Sequence, residues 1–225
     1  MAAPPLPTRP EYAMTDRLKT QMKQKQRRQQ VSEEILATEK SYVSSLQVLE
    51  QVYMTPLKES LTAPKIILAK EYQEKLFSNI AEISKAHSQF LTDLVASLKA
   101  NDEEFSGEEF VQFSHHFHLY ITYINNHSAA TALIEEIQGN AKKFKRFHKF
   151  AYLAENNPNC GGLTLPSFLI MPIQRIPRYR LLLSELLKHT EEGAPHRSAL
   201  IKALDTVEGV AININEAIRA RENSE

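Results

Sequence analysis

The chain has 225 residues, enough for one large domain with its own core or for two small ones. Lys plus Arg (27) equals Asp plus Glu (27), so no overall charge points to nucleic acid, and six glycines, no tryptophan and few β-branched runs argue against an all-β fold. A single cysteine, Cys160, excludes an internal disulfide and fits a reducing compartment, and no apolar run approaches the roughly 18 residues of a membrane span or forms a signal region at the N-terminus. The chain therefore reads as soluble and cytoplasmic.

Residues 1 to 15 read as a proline-rich disordered leader, with a single helical domain over residues 16–225. The first ten residues hold four prolines, and Pro4-Pro5-Leu6-Pro7-Thr8-Arg9 fits the P-x-x-P-x-basic pattern of polyproline-II ligands for SH3 domains. Such a pattern arises often by chance in proline-rich tails, so the SH3 reading is the weaker one. From Thr15 to Gln30 the chain turns helical and basic, with Arg17, Lys19, Lys23, Lys25, Arg27 and Arg28 against Asp16. A solvated face is expected there, since no leucines or large aromatics anchor an opposite face to lipid.

Residues 31 to 58 predict an amphipathic helix, with Val31, Ile35, Tyr42, Leu46, Leu49 and Tyr53 at three- and four-residue steps. Off that stripe, Glu34, Thr38, Ser41 and Ser45 share another face. One carboxylate there rises from a low rim of small polar groups, which leaves room for another protein's backbone and is equally the pattern of an ordinary exposed helix face. Pro56 and Pro64 bracket a turn, and a second helix runs through Leu68, Tyr72, Leu76, Ile80 and Ile83 past Phe90, Leu94 and Leu98. Asp102, Glu103, Glu104, Glu108 and Glu109 around Gly107 read as a solvated acidic loop with no means of splitting carboxylate pKa values for acid–base catalysis.

The next helix spans Phe110 to Gln138, with Phe113, Phe117, Tyr120, Ile124, Ile134 and Ile137 inward. His115, His116 and His118 splay around it, without a cysteine or paired acid, so ordinary histidines are expected and no metal. Lys142, Lys143, Lys145, Arg146 and Lys149 alternate with Phe144, Phe147 and Phe150. Because Phe144, Phe147 and Ala151 share one stripe, the rings face the core and the lysines face water, which disfavours a base-stacking surface. Cys160, between Asn159 and Gly161, reads as an inert surface thiol in a loop.

Residues 164 to 190 predict a buried central helix capped by Thr164. It carries Pro166 in its first turn and bends at Pro172 and Pro177, each of which removes an intrahelical hydrogen bond. Leu181, Leu182, Leu183, Leu186 and Leu187 make it apolar around most of its circumference, while Ile170, Gln174 and Arg178 align at i, i+4 and i+8 as a mixed, protein-facing stripe. Gly193 and Pro195 end it. A last helix, His196 to about Glu222, has a packing seam of Leu200, Leu204, Val207, Ala211, Ile214 and Ile218, flanked by Asn215.

Pro172 to Leu183, Pro-Ile-Gln-Arg-Ile-Pro-Arg-Tyr-Arg-Leu-Leu-Leu, closely resembles the third signature block of Dbl-homology domains. Glu33 to Leu46, Glu-Glu-Ile-Leu-Ala-Thr-Glu-Lys-Ser-Tyr-Val-Ser-Ser-Leu, resembles the first block, and Tyr120, Tyr123 and Asn126 loosely resemble the second. The resemblance covers roughly residues 25 to 222. It implies an all-α, elongated bundle of long, kinked helices that promotes GDP release from a Rho/Rac/Cdc42-type small GTPase, with no cofactor and no covalent chemistry of its own. It further implies that Glu34 grips switch I, and that Arg178 and Asn215, helped by Gln174 and Ile170, hold switch II. Where the family most often has lysine this chain has Arg178, and a forked guanidinium is not equivalent to an ammonium at a tight contact. Many relatives carry a pleckstrin-homology domain after the last helix, so recruitment to the plasma membrane or cytoskeleton is expected from elsewhere in the protein or from a partner. Membrane contact by this domain is expected to be indirect or weak. The alternatives are a catalytically silent GTPase-binding scaffold and a curved membrane-binding module that uses Arg17 to Arg28 and Lys142 to Lys149.

Overall fold

The computed structural model describes the backbone of residues 9–101 and 104–222 and, within these, the side chains outside 9–15, 217, 218 and 220–222. All regular structure among the described residues is helical. The prolines of the Pro4 to Arg9 pattern lie outside them. Helix α1 runs Arg9–Leu49, joining the basic segment and the first amphipathic helix into one element. Its stripe of Val31, Ile35, Tyr42, Leu46 and Leu49 is buried throughout. Each such side chain contributes about 1.5–3 kcal/mol relative to exposure, and this packing holds so long a helix against the bundle. A π-helical turn, Glu50–Met54, then widens the ladder just before Pro56, which has no N–H to continue it, and α2 follows at Thr55–Ser60.

The expected second helix is two. Helices α3 (Lys70–Phe77) and α4 (Ile80–Ala100) meet at Ser78, whose φ of 46° no regular helix allows. The joint is tied to the next layer. Asn126 Nδ2 donates to Ser78 Oγ (3.0 Å), and Asn79 Nδ2 donates to the Leu119 carbonyl (3.0 Å). Helices α5 (Glu108–Phe113) and α6 (His118–Gly139) flank a short 3₁₀ turn at Ser114–His116. Helix α7 spans Lys145–Glu155. The central segment divides into α8 (Leu165–Leu169) and α9 (Met171–Lys188), and α10 covers Arg197–Glu222. Helix α9 is the axis of the bundle and touches α1, α6, α8 and α10.

Four expectations need correction. The break at Ile170 puts Pro172 in the first turn of α9, where its missing N–H costs nothing, so only Pro177 interrupts a helix interior. The acidic loop is not simply solvated. Arg28 Nε binds Glu104 at 2.8 Å, while the buried Glu109 accepts from the Gly107 amide (2.9 Å) and from the hydroxyls of Ser97 and Ser106. Asp102 and Glu103 lie outside the described residues. The basic N-terminal stretch is likewise only partly solvated. Arg28 also donates to the His189 carbonyl (3.1 Å), and Arg27 pairs with Glu185 (3.1 Å). Cys160, finally, is buried, with Sγ 3.3 Å from the Ala154 carbonyl, because its 3₁₀ turn, Pro158–Cys160, packs against α1. Burial pushes its thiol up, so it is inert for a different reason from the one expected.

Candidate functional site

Helices α1 and α9 pack side by side, and a shallow groove of about 310 Å³ opens between them. Thr38, Ser41 and Ser45 form one wall, and Met171, Gln174 and Arg178 form the other, with Tyr42 and Arg175 beneath. The wall hydroxyls donate to carbonyls of their own helix. Thr38 binds the Ile35 carbonyl (3.1 Å), Ser41 that of Ala37 (3.0 Å) and Ser45 that of Ser41 (3.0 Å). Folded back in this way, they keep the rim low.

Glu34 stands one turn before Thr38, and its Oε1 lies 3.5 Å from Arg178 Nη2. The two side chains are 52% and 54% exposed, so this pair is worth about 0–1 kcal/mol and yields readily to a partner. Ile170 is half-buried at the α8–α9 joint. It stays in the helical region, and its carbonyl accepts from the Gln174 amide (3.2 Å), so Ile170, Gln174 and Arg178 do share one stripe. Tyr123 fixes that joint from α6 by donating to the Leu169 carbonyl at 2.6 Å. Asn215 is exposed on α10, the helix that packs along α9. The fold thus brings Glu34, Gln174 and Arg178 together around one groove, places Ile170 at its α8 end, and presents Asn215 from the neighbouring helix.

Beneath the groove lies a buried polar cluster that sequence reasoning missed. Glu39 is fully buried, and its carboxylate accepts from Arg175 and from the Tyr179 hydroxyl, with His87 Nδ1 at 2.6 Å. His87 Nε2 lies 2.5 Å from the Tyr120 hydroxyl, which in turn lies 3.4 Å from that of Tyr42. The Arg175 guanidinium stacks over the rings of Tyr179 (4.2 Å) and Tyr42 (5.2 Å). Burial alone would raise the Glu39 carboxyl, but His87, Arg175 and Tyr179 outweigh it and hold the carboxyl below its ordinary value. Burial likewise pushes the Tyr42, Tyr120 and Tyr179 hydroxyls well up, so all three stay protonated. A signal for Glu39 was present in the sequence. It falls in the gap of the α1 stripe, four residues after Ile35 and three before Tyr42, where an apolar residue is expected.

Outside the groove, His115 and His118 each hold a backbone carbonyl through Nδ1 at 2.6 Å, and no cluster of metal-ligating side chains occurs among the described residues. The groove thus has its hydroxyls folded back onto α1 and the charges of Glu34 and Arg178 at its rim.

Among the described residues the molecule is an all-helical bundle with a shallow, charge-flanked groove between its first helix and its axial helix. Residues 31–215 match the family model of the RhoGEF domain, and the chain belongs to that family. It is similar to the guanine exchange factor for Rac 30 of Dictyostelium discoideum, with 36% identity over 199 residues that cover 88% of this chain and 11% of that protein. It is also similar to the human protein ECT2, with 33% identity over 197 residues, 87% of this chain and 21% of that protein. The chain therefore spans only a small part of these relatives' length. Among solved structures, the DH/PH domains of p115-RhoGEF superpose with a TM-score of 0.78 at 26% identity, over 89% of this chain and 58% of that one. The DH/PH domain of human ARHGEF11, in a ternary complex with human RhoA and its inhibitor, superposes with a TM-score of 0.77 at 25% identity, over 88% of this chain and 55% of that one.

Proposed function

We propose that residues 16 to 225 act as one exchange domain that promotes GDP release from a Rho-family GTPase by remodelling its two switch segments. The observation that carries this reading is the groove itself, with a low hydroxyl rim, an exposed carboxylate and an exposed guanidinium on facing helices, in a chain of the RhoGEF family. Glu34 holds switch I away from the metal and nucleotide. Arg178 and Asn215, with Gln174 and Ile170 beside them, hold switch II in a form that disfavours magnesium and phosphate. Domain and nucleotide compete for the shape of the same switches, so each weakens the other's binding by the same factor. GDP leaves and GTP enters, with no covalent step on this chain. Stabilising the nucleotide-free GTPase calls for an interface of roughly 2,000 Å² or more, so the groove is its centre and not its whole extent.

The test is release of fluorescent GDP from RhoA, Rac1 and Cdc42. The chain is expected to accelerate release from at least one of the three and to hydrolyse no nucleotide by itself. A folded chain that accelerates none of them would leave a silent GTPase-binding scaffold as the better reading.

A further inference from the structure

Residues 141–154 carry five lysines and arginines and no acid, in a chain whose net charge is zero. The structure sorts this segment into two faces. Phe144, Phe147 and Ala154 are buried, and Phe150 packs edge-on against Tyr53 with ring centres 6.1 Å apart, so the orientation of α7 is fixed. What remains outside is Lys145, Arg146, Lys149, Tyr152 and Leu153, at helical steps that make one continuous face. Tyr152 is 68% exposed and Leu153 60%, although both are large enough to have been core residues. Arg146 donates to the Ile66 carbonyl at 3.1 Å and so seats the exposed pair Lys65 and Ile66 beside this face. Lys143 is drawn aside by Glu136 at 2.7 Å, which occupies that acid as well.

We infer that the outer face of α7, together with Lys65 and Ile66, is a docking surface for an anionic lipid bilayer. The bundle core accounts for the buried rings of this segment but not for exposed Tyr152 and Leu153 beside four cations. That combination is the chemistry of an interfacial helix, with cations at the headgroup phosphates and a tyrosine and an aliphatic side chain at the boundary with the acyl chains. A protein partner would need a matching acidic depression for this convex helix, whereas a fluid sheet of negative headgroups fits any convex basic face. Nucleic acid is disfavoured because Phe144 and Phe147 are buried, which leaves the single ring of Tyr152 where successive bases would need a row of stacking partners. The face lies beside the π-helical turn that carries Tyr53, past the end of α1 and so more than about 22 Å along the helix from Glu34 at 1.5 Å per residue. The bilayer and the groove are therefore engaged at separate places, and this inference stands independently of the exchange reading.

The test is co-sedimentation of the 225-residue chain with sucrose-loaded vesicles of phosphatidylcholine alone or with 30% phosphatidylserine, at about 0.1 and 0.5 M salt. Binding is expected only with phosphatidylserine and is expected to weaken at high salt. Each removed cation should lower partitioning by about fivefold, so Lys145→Gln with Lys149→Gln should cost roughly twenty-five-fold. Tyr152→Ser with Leu153→Ser should lower it by about fivefold or more, with both double variants shown folded by circular dichroism. The inference is overturned if phosphatidylcholine alone binds as well, if nothing binds, or if both double variants bind like the parent chain. It is equally overturned if only neutralising Arg17, Lys19, Lys23 and Lys25 abolishes binding. Capture by poly-glutamate as tight as by vesicles, with Tyr152→Ser and Leu153→Ser changing neither, would assign the face to an acidic protein instead.

Discussion

Glu39 shows how much one residue decides in this fold. A carboxylate with no exposed surface survives there because Arg175, Tyr179 and His87 converge on it, and all of them lose their partner if it goes. Glu39→Ala leaves the Arg175 guanidinium buried and unpaired, which costs about 3–5 kcal/mol. For a chain of this size that lowers Tm by roughly 10 °C in a thermal melt. The pH dependence has a definite sign. The Glu39 carboxyl titrates below its ordinary value of 4.5 in the folded chain, so its contribution is complete above that value. It is lost as pH falls through the lower, folded value, and acid unfolding of the parent chain should be steeper than that of Glu39→Gln. Glu34 is the opposite case. It is exposed and off the core stripe, so Glu34→Ala should leave Tm unchanged while slowing nucleotide exchange. A hydrogen bond to a charged group contributes about 1.5–3 kcal/mol, or roughly ten- to a hundredfold in rate. Asn215→Ala should behave alike, because Val207 and Ile214 carry the α10 seam. Arg178→Lys is expected to keep or raise exchange. Loss as complete as with Arg178→Ala would show that the forked guanidinium makes a contact of its own.

Element boundaries are set by close approaches between helices. Gly107, at φ 90°, begins α5 against the start of α10, and a Cβ there would come within 2.7 Å of the Leu200 amide nitrogen and 2.9 Å of the Ala199 carbonyl carbon. Both obstacles are backbone, so neither can rotate away. Gly107→Ala therefore combines a left-handed conformation with overpacking, for a loss of about 2–4 kcal/mol measurable by urea denaturation. Circular dichroism should still show a helical chain. The α8–α9 joint works differently. Pro172 starts α9 in a first turn that needs no amide there, and Pro177 leaves one carbonyl of the preceding turn without its helical partner. Tyr123, reaching the Leu169 carbonyl from α6, holds the bend that sets the direction of Ile170, Gln174 and Arg178.

Across the whole molecule, the α7 cations and the groove are separate. Arg27 and Arg28 tie the middle of α1 to Glu185 and Glu104, and the α7 cations lie near the far end of the Val31 to Tyr53 stripe. Exchange on a soluble GTPase should therefore change by no more than a few-fold in Lys145→Gln with Lys149→Gln, since exposed charges that distant are screened by salt. A tenfold loss in the fluorescent GDP assay would mean that the partner reaches α7.

The sequence by itself determined the helical class, the buried stripe from Val31 to Tyr53 that runs along α1 into the π-helical turn, the inward rings of Phe144 and Phe147, and the resemblance that points to Glu34, Ile170, Gln174, Arg178 and Asn215. These are legible because a helix repeats every 3.6 residues, so local spacing fixes which side chains share a face. Only the tertiary structure decided that Glu34 and Arg178 face each other over one groove, that Glu39 is fully buried, that Cys160 is hidden, and that Tyr152 and Leu153 face outward. Periodicity says which residues travel together but not what they will meet. Glu39 interrupts an apolar stripe, and such an interruption looks the same whether the charge escapes to water or, as here, is met by an arginine 136 residues away. Burying the charge is stable only where the fold supplies that partner, and the fold does so by running α9 alongside α1.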